Sequence, residues 1–599
     1  MNEEPKGIFR RMLSNAWNEP RHFFFWLALL CPFLFALVVL TATTGIMLPF
    51  GHWIALAAAL GFVLGVPAFA LSWIPTFRPR FTWLLQRKLL ALACVGTVIG
   101  LFYAVENWRG RNAWNNFRHE WEARGVRFDA ENNPPPAVPD EQNFFMTPPW
   151  EFLRFSKSNN IVVWKYDEAT RDKSMLDRSG PRGSAEPSAG SLLAATRIDL
   201  RAWQEFYRGS NNLFAAEGGT FTNYFPVAPR PQTPAQDILR ALTRSEPTLQ
   251  QLRDAARRPQ ARFWINYEDG FNGLLPHLAK TKGNAQYLRL RAAALLADGQ
   301  TEAALADTML AFRLTDTLRN EPVLISQLVR IAAIHINLLA VWDGLADHRW
   351  SEAQLEALER ELAQEDFLAD YQTAMSGERA CATWTMDLLQ RTRNLDSVGG
   401  LSEEGGRSST GEQLEETVGL IIGRLAPSGW FDQNKLSLGR MHVEVIRPLV
   451  DQEKQIVAPA NSRRTSAVIE SRSSHRSPYN LFTGMLIPAL DKACKKFAIA
   501  QTYVNLARVA CALERYRLAH DGYPETLGAL VPQYIDKLPH DIINGQPLKY
   551  RRAPGGSFVL YSVGWNETDD GGTVVLRDAK NATAVDQDKG DWVWRYPAL

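Results

Sequence analysis

A chain of 599 residues exceeds what one hydrophobic core organises, so several packed units are expected. Its 66 Lys and Arg against 64 Asp and Glu leave a formal charge of +2, which argues against a phosphate-neutralising surface over the whole molecule and so against nucleic acid as a partner. The five cysteines include no C-x-x-C pair, so neither a zinc site nor dithiol redox chemistry is indicated, and they read as small apolar residues on buried faces.

Residues 1–22 are expected to form a cytoplasmic N-terminus and 23–105 three transmembrane helices. Phe23 to Ile46, Trp53 to Ile74 and Leu89 to Val105 contain no Asp, Glu, Lys or Arg, and each approaches the ~20 residues that cross a bilayer core. The third span is placed after Arg87 and Lys88, because a charged pair is costly inside lipid. The first is too long for a signal-peptide core and is followed by two more, so it is expected to stay uncleaved. Lys6, Arg10, Arg11 and Arg21 precede span one, and Arg78, Arg80, Arg87 and Lys88 separate spans two and three. The positive-inside rule puts these flanks in the cytoplasm and everything after Val105 outside it. Gly61 and Gly65, and Gly96 and Gly100, form G-x-x-x-G faces that let helices approach closely, although glycine is also simply common in membrane helices. No ionisable residue lies inside a span, so anchoring is expected rather than transport.

Residues 106–232 read as a juxtamembrane and linker region. Trp108, Trp114 and Trp121 fit a helix leaving the membrane, Ile161 to Trp164 a short strand, and the polar stretch Arg171 to Gly190 a loop. From 233 to 396 the pattern is helical: Tyr287, Leu288, Ala292 and Leu295 share a face, Gly299 offers a stop, and Ala303, Ala304, Leu310 and Leu314 resume the stripe. This predicts an irregular, helical-repeat-like domain, whose stripes serve a core first and a peptide-binding groove second. Residues 397–413 and 461–478, rich in Gly, Ser and Arg, read as linkers flanking a helical segment over 414–460.

The final unit, 479–599, reads as α+β. A helix is predicted from Ala489 to His520, stopped by Gly522 and Pro524, with strands over Leu548 to Arg552, Phe558 to Val563, Thr573 to Arg577 and Trp592 to Tyr596. Its motifs are Leu513-Glu514-Arg515-Tyr516-Arg517-Leu518 with Gly522-Tyr523-Pro524, then Leu538-Pro539-His540-Asp541, Asn544-Gly545-Gln546-Pro547-Leu548-Lys549-Tyr550, Leu560-Tyr561-Ser562-Val563-Gly564 and the acidic Asp569-Asp570-Gly571-Gly572. In this order they resemble the C-terminal part of the major pseudopilin of type II secretion systems and, more loosely, type IV pilins. The whole chain resembles uncharacterised bacterial membrane proteins. No prepilin leader occurs, three internal spans replace the single N-terminal pilin helix, and Ile542 stands where the family commonly has proline, so a pilus subunit is not expected.

The resemblance implies calcium in the last loop, with Asn566, Asp569 and Asp570 as hard oxygen ligands and Gly571 and Gly572 turning the backbone, while Asp-Gly in a polar hairpin loop is the alternative. It also implies a bacterial inner-membrane location with a periplasmic C-terminal portion. No G-x-S-x-G, H-E-x-x-H, Walker A or S-x-x-K arrangement occurs, so no catalytic residue is assigned. The expected function is a membrane-anchored scaffold that binds other proteins, associated with a type II secretion or pilus-like system. The alternative is an envelope hydrolase.

Overall fold

The computed structural model describes residues 81–128, 134–158, 161–173, 175–180, 186–209, 214–216, 219–221, 224–393, 425–474, 477–554, 556–578 and 584–596. The expected first and second spans and the 397–413 linker lie outside the described residues. Most described residues are helical, with a few small antiparallel sheets.

The first described element, α1 (Phe81–Glu122), is one helix of 42 residues, roughly 63 Å long at 1.5 Å per residue. It starts ahead of the Leu89 boundary expected for the third span, and its backbone carries Arg87 and Lys88 without a break. Its far end is held by aromatic packing: Trp114 and Phe117 are buried with Phe128, Leu436 and Val443. There α1 crosses α11 (Ser428–Arg440; the intervening helices follow below) so closely that only glycine fits. A Cβ on Gly110 would lie 2.2 Å from the Gly429 carbonyl oxygen, and one on Gly429 2.0 Å from the Glu106 carbonyl oxygen.

The 106–232 stretch is more than a connection. Strand β1 (Phe155–Ser158) pairs antiparallel with β2 (Ile161–Trp164), the short apolar run expected as a strand, followed by α2 (Glu168–Asp172), α3 (Leu200–Arg208) and the β3–β4 hairpin (Phe214–Ala216, Gly219–Phe221). The expected loop after Arg171 is pinned to the body, its Leu176 amide donating to Asn284 Oδ1 at 2.7 Å and its Asp177 amide to Ser245 Oγ at 3.0 Å. Polar composition here reflects buried hydrogen bonding as well as exposure. With α4 (Pro234–Leu242) and α5 (Glu246–Ala256), this region closes a core around Phe144, Trp150, Trp203, Tyr207 and Leu249.

The helical region follows as α6 (Pro276–Ala297), α7 (Thr301–Asp316), α8 (Leu324–Ala346), α9 (Glu352–Leu362) and α10 (Phe367–Thr392). The stop at Gly299 has a local cause. That residue adopts φ +80°, and the Gln300 and Gly299 amides return to the carbonyls of Leu295 and Leu296, a left-handed helix cap. Among the described residues, α8 is long and apolar enough to cross a bilayer by length and composition, yet 67% of its most apolar window is buried. Ile334, Leu338, Val341 and Trp342 spend that apolarity on the protein core.

After α11 the chain makes a π-helical stretch, Met441–Ile446, and a short hairpin, β5 (Val450–Asp451) with β6 (Ile456–Val457), so the described part of the expected helical segment, 425–460, is only partly helical. The expected linker at 461–478 is largely α12 (Pro459–Ser474), which packs on α13 (Leu481–His520). Ser462 and Thr465 are buried, so the Ser- and Arg-rich composition conceals one small-residue face turned inward. Helix α13 also starts before the Ala489 boundary, continuing through Pro488.

Beyond α13, β7 (Lys549–Ala553), β8 (Ser557–Ser562) and β11 (Trp592–Trp594) form an antiparallel sheet in the order β11-β8-β7. A separate pair joins β9 (Val574–Leu576) to β10 (Val585–Gly590). Four of these strands fall where the sequence expects them and β10 does not, and this unit has no core to itself. Leu338, Leu362 and Tyr371 of the helical array, Phe497, Val504 and Leu513 of α13, and Leu560 and Trp594 of the sheet belong to one continuous buried cluster. Trp342 Nε1 donates to the Arg595 carbonyl at 2.9 Å across it.

Candidate functional site

The loop carrying Asn566, Asp569 and Asp570 leaves β8 through Gly564 (φ +70°), whose Cβ would meet the Gly590 carbonyl oxygen at 2.4 Å. Asp569 accepts from the Tyr561 hydroxyl at 2.9 Å and pairs with Lys549 Nζ at 3.1 Å. The Tyr561 and Lys549 hydrogen bonds, in that order, hold its carboxyl below the ordinary carboxylate range. Asp570 Oδ2 accepts from Asn566 Nδ2 at 2.8 Å, and Asn566 Oδ1 from the Thr568 amide at 3.3 Å. Asn566 and Asp570 thus meet each other while the Asp569 carboxylate turns to Tyr561 and Lys549, so protein groups engage all three residues. On β10, Asp586 accepts from the Asp588 amide and Asp588 pairs with Lys495. Among the described residues, no group of three or more His, Cys, Asp or Glu side chains is arranged to hold a metal ion.

A carboxylate not singled out from sequence organises the loop. Asp591 is buried and accepts from the amides of Asp570 (3.3 Å), Gly572 (2.6 Å) and Thr573 (3.2 Å). Asp541 does the same beneath β8, accepting from Ile543 and Val563 amides at 3.0 Å each and from the Ser562 hydroxyl at 2.8 Å. Burial raises both carboxyls above their ordinary value despite these donors. Asp541 was legible as part of Leu-Pro-His-Asp; nothing local marks Asp591.

Glu514 explains the first half of the resembling motif. It receives Arg517 Nη2 at 2.7 Å, His348 Nδ1 at 2.7 Å and the Tyr523 hydroxyl at 2.8 Å. Burial pushes this carboxyl up, but the Arg517, His348 and Tyr523 hydrogen bonds outweigh it and hold it low. The cluster fastens the Gly-Tyr-Pro turn to α13 and, through His348, to the α8–α9 connection. Its geometry is that of a structural clamp.

Other buried polar groups are likewise paired across elements. Arg330, fully buried on α8, meets Glu365, Asp370 and Asp316 and lies 4.5 Å from the Phe367 ring. His277 Nε2 meets Glu321 at 2.9 Å while its ring stacks on Phe263 at 3.9 Å. Burial alone lowers His335 to about 4, so that imidazole is neutral at pH 7. Cys381 and Cys511 are free thiols pushed up by burial, in keeping with an apolar role.

An open cleft of about 670 Å³ lies where α3 and α4 begin and α6 ends, lined by Arg197, Arg201, Asp199, Asp298, Leu200 and Pro234 among others. Asp199 and Thr233 already cap the two helix starts, accepting from Ala202 and Gln236 amides at 3.0 and 3.3 Å.

No family model, curated protein or solved structure matches this chain.

Proposed function

We propose that this chain is a membrane-anchored extracytoplasmic scaffold of the bacterial inner membrane, whose helical array and C-terminal α+β unit bind another polypeptide. The observation that carries the reading is α1. Its first part bears exposed apolar residues, Val95, Val98, Leu101 and Val105, while its last part is locked into the body by Trp114 and Phe117. A single unbroken helix thus joins a lipid-compatible segment to a large folded body. Three spans over 23–105, cytoplasmic at residues 1–22, complete the anchor in this proposal. The pseudopilin-like order of helix and strands makes a type II secretion or pilus-like assembly the candidate partner. A calcium ion at Asn566, Asp569 and Asp570 belongs to the same reading and has to displace Lys549 from Asp569.

Two experiments test it. A reporter fused after Leu599 is expected to behave as exported and one near Arg80 as cytoplasmic; a cytoplasmic C-terminal reporter in an intact fusion overturns the topology. Affinity purification from gently solubilised membranes is expected to recover a stoichiometric secretion or pilus component. Recovery of none, together with turnover in a broad hydrolase screen, replaces the scaffold by an enzyme.

A further inference from the structure

Helix α1 does not meet the rest of the molecule along its whole length. Val95, Val98, Ile99, Leu101 and Phe102 are 42–66% exposed and point to several sides. Docking begins at Tyr103, whose hydroxyl donates to the Leu425 carbonyl. One turn on, Glu106 accepts from Trp430 Nε1 at 3.0 Å and Asn107 Oδ1 from the Gly429 amide at 2.8 Å.

Two further chain segments reach the same level. The Trp430 ring stands 6.3 Å from Phe102 and 6.1 Å from Tyr479, and the Arg109 guanidinium lies 4.8 Å from the Tyr479 ring centre. Asn434 ties the segments together, its Nδ2 donating to the Pro478 carbonyl at 2.7 Å and its Oδ1 accepting from the Phe482 amide at 3.3 Å. Residues 102–109 of α1, the entry to α11 at 425–434 and the entry to α13 at 477–482 therefore lie side by side, although α1 is more than 300 residues from the other two in the chain.

That level coincides with the last turn of the charge-free run Leu89–Val105. It exposes Leu425 (62%), Leu481 (49%) and Trp108 (71%) beside the apolar face of α1. From Ser477 to Leu490 the chain contains no Asp, Glu, Lys or Arg. Isolated exposed leucines need no explanation, but a patch continuous with an apolar helix face and grouped with Trp and Tyr has the composition of a membrane–water boundary. A helix crossing lipid up to Val105 brings Leu425, bonded to Tyr103, into the boundary with it.

We infer that the body rests directly on the bilayer, with Leu425, Trp430, Tyr479 and Leu481 seated at the headgroup–acyl boundary as a second lipid contact beside α1. This rests on the anchored reading above. Lipid is the occupant because the patch continues a surface that lipid already covers. The far end of α13, at His520, lies on the order of 58 Å from Leu481 along the helix axis and serves as the reference position off the patch.

The test uses the full chain in nanodiscs of phosphatidylethanolamine and phosphatidylglycerol, with Cys31→Ala and Cys94→Ala and an environment-sensitive fluorophore at one introduced cysteine. Spin-labelled lipids are expected to quench the probe at Val98→Cys and at Leu481→Cys, deepest for Val98, and to leave His520→Cys unquenched. Leu425→Cys repeats the measurement on the second segment should Leu481→Cys fold poorly. Quenching at Val98 with Leu481 and Leu425 both behaving like His520 overturns the second lipid contact and leaves the anchor standing. Loss of quenching at Val98 as well overturns the anchor reading itself.

Discussion

The crossing of α1 and α11 is where the anchored helix takes hold of the body, and its tolerance for one methyl group can be worked out. Gly429→Ala places a Cβ 2.0 Å from the Glu106 carbonyl oxygen and 2.8 Å from Asn107 Cα, both backbone atoms, where ordinary contact starts at 3.4 Å. Relief requires the helices to separate by roughly 1.4 Å, the difference between 3.4 and 2.0 Å. Overpacking of this kind costs about 1–3 kcal/mol. Separation also stretches the Asn107–Gly429 and Glu106–Trp430 hydrogen bonds, now 2.8 and 3.0 Å, each worth about 1 kcal/mol or somewhat more where charged. A loss on the order of 3 kcal/mol follows, about a hundredfold increase in the open population of the seam. Hydrogen exchange of the full chain in lipid, read over residues 103–117 and 428–440, measures it. Gly110→Ala, whose Cβ meets the Gly429 carbonyl at 2.2 Å, is expected to do the same, and the two together less than their sum, because one retreat relieves both. Gly522→Ala is the control, since nothing lies within 4 Å of its Cβ. Protection in Gly429→Ala and Gly110→Ala equal to that in Gly522→Ala refutes a close-packed seam.

Burial raises the Glu378 carboxyl to about 7, with the Leu324 amide donating to it at 3.0 Å. A folded pKa above the unfolded one gives stability that is full below about 4.5 and is lost as pH rises through about 7. Glu378→Gln, which keeps the acceptor, is therefore expected to match the parent near pH 4 and to exceed it by about 3 kcal/mol near pH 8 in urea melts, and identical pH profiles would sink the argument. Arg330→Met strands Glu365 and Asp370, which burial already raises to about 7 and about 6, so a loss of about 3–5 kcal/mol is expected above pH 8 and less near pH 5, where they protonate; a pH-independent loss contradicts an electrostatic role. Because Asp569 holds Tyr561 and Lys549, Asp569→Ala should lower the melting temperature in chelator as well as in calcium. A loss seen in calcium alone points to an ion as the main tie. The isolated segment 478–599 is expected to show helix content without a cooperative melt, since Leu338, Leu362 and Tyr371 no longer cover α13; a sharp melt shows that the sheet suffices.

Much of the local structure was legible along the chain. The stripe through Tyr287 and Leu295, the stop at Gly299, the strand at Ile161 to Trp164 and the C-terminal strands other than β10 are set by near neighbours: periodicity, a left-handed glycine, short runs rich in β-branched and aromatic residues. The loop residues Asn566, Asp569 and Asp570 were legible as an acidic turn for the same reason. What engages them was not, because Lys549 sits on β7 and the capping Asp591 just ahead of β11. Composition misled at 461–478, where a polar count conceals the inward face of α12. The 479–599 unit read as self-contained because its motifs are contiguous, whereas burial of α13 depends on α8, α9 and α10, more than a hundred residues earlier. Sequence alone determined that Leu89–Val105 is apolar and uncharged, since that depends only on which residues stand there. Where that helix is held was decided by tertiary structure: the close approach of Gly110 to Gly429 and the Tyr103 hydroxyl bond to the Leu425 carbonyl join segments more than 300 residues apart, which no local pattern encodes.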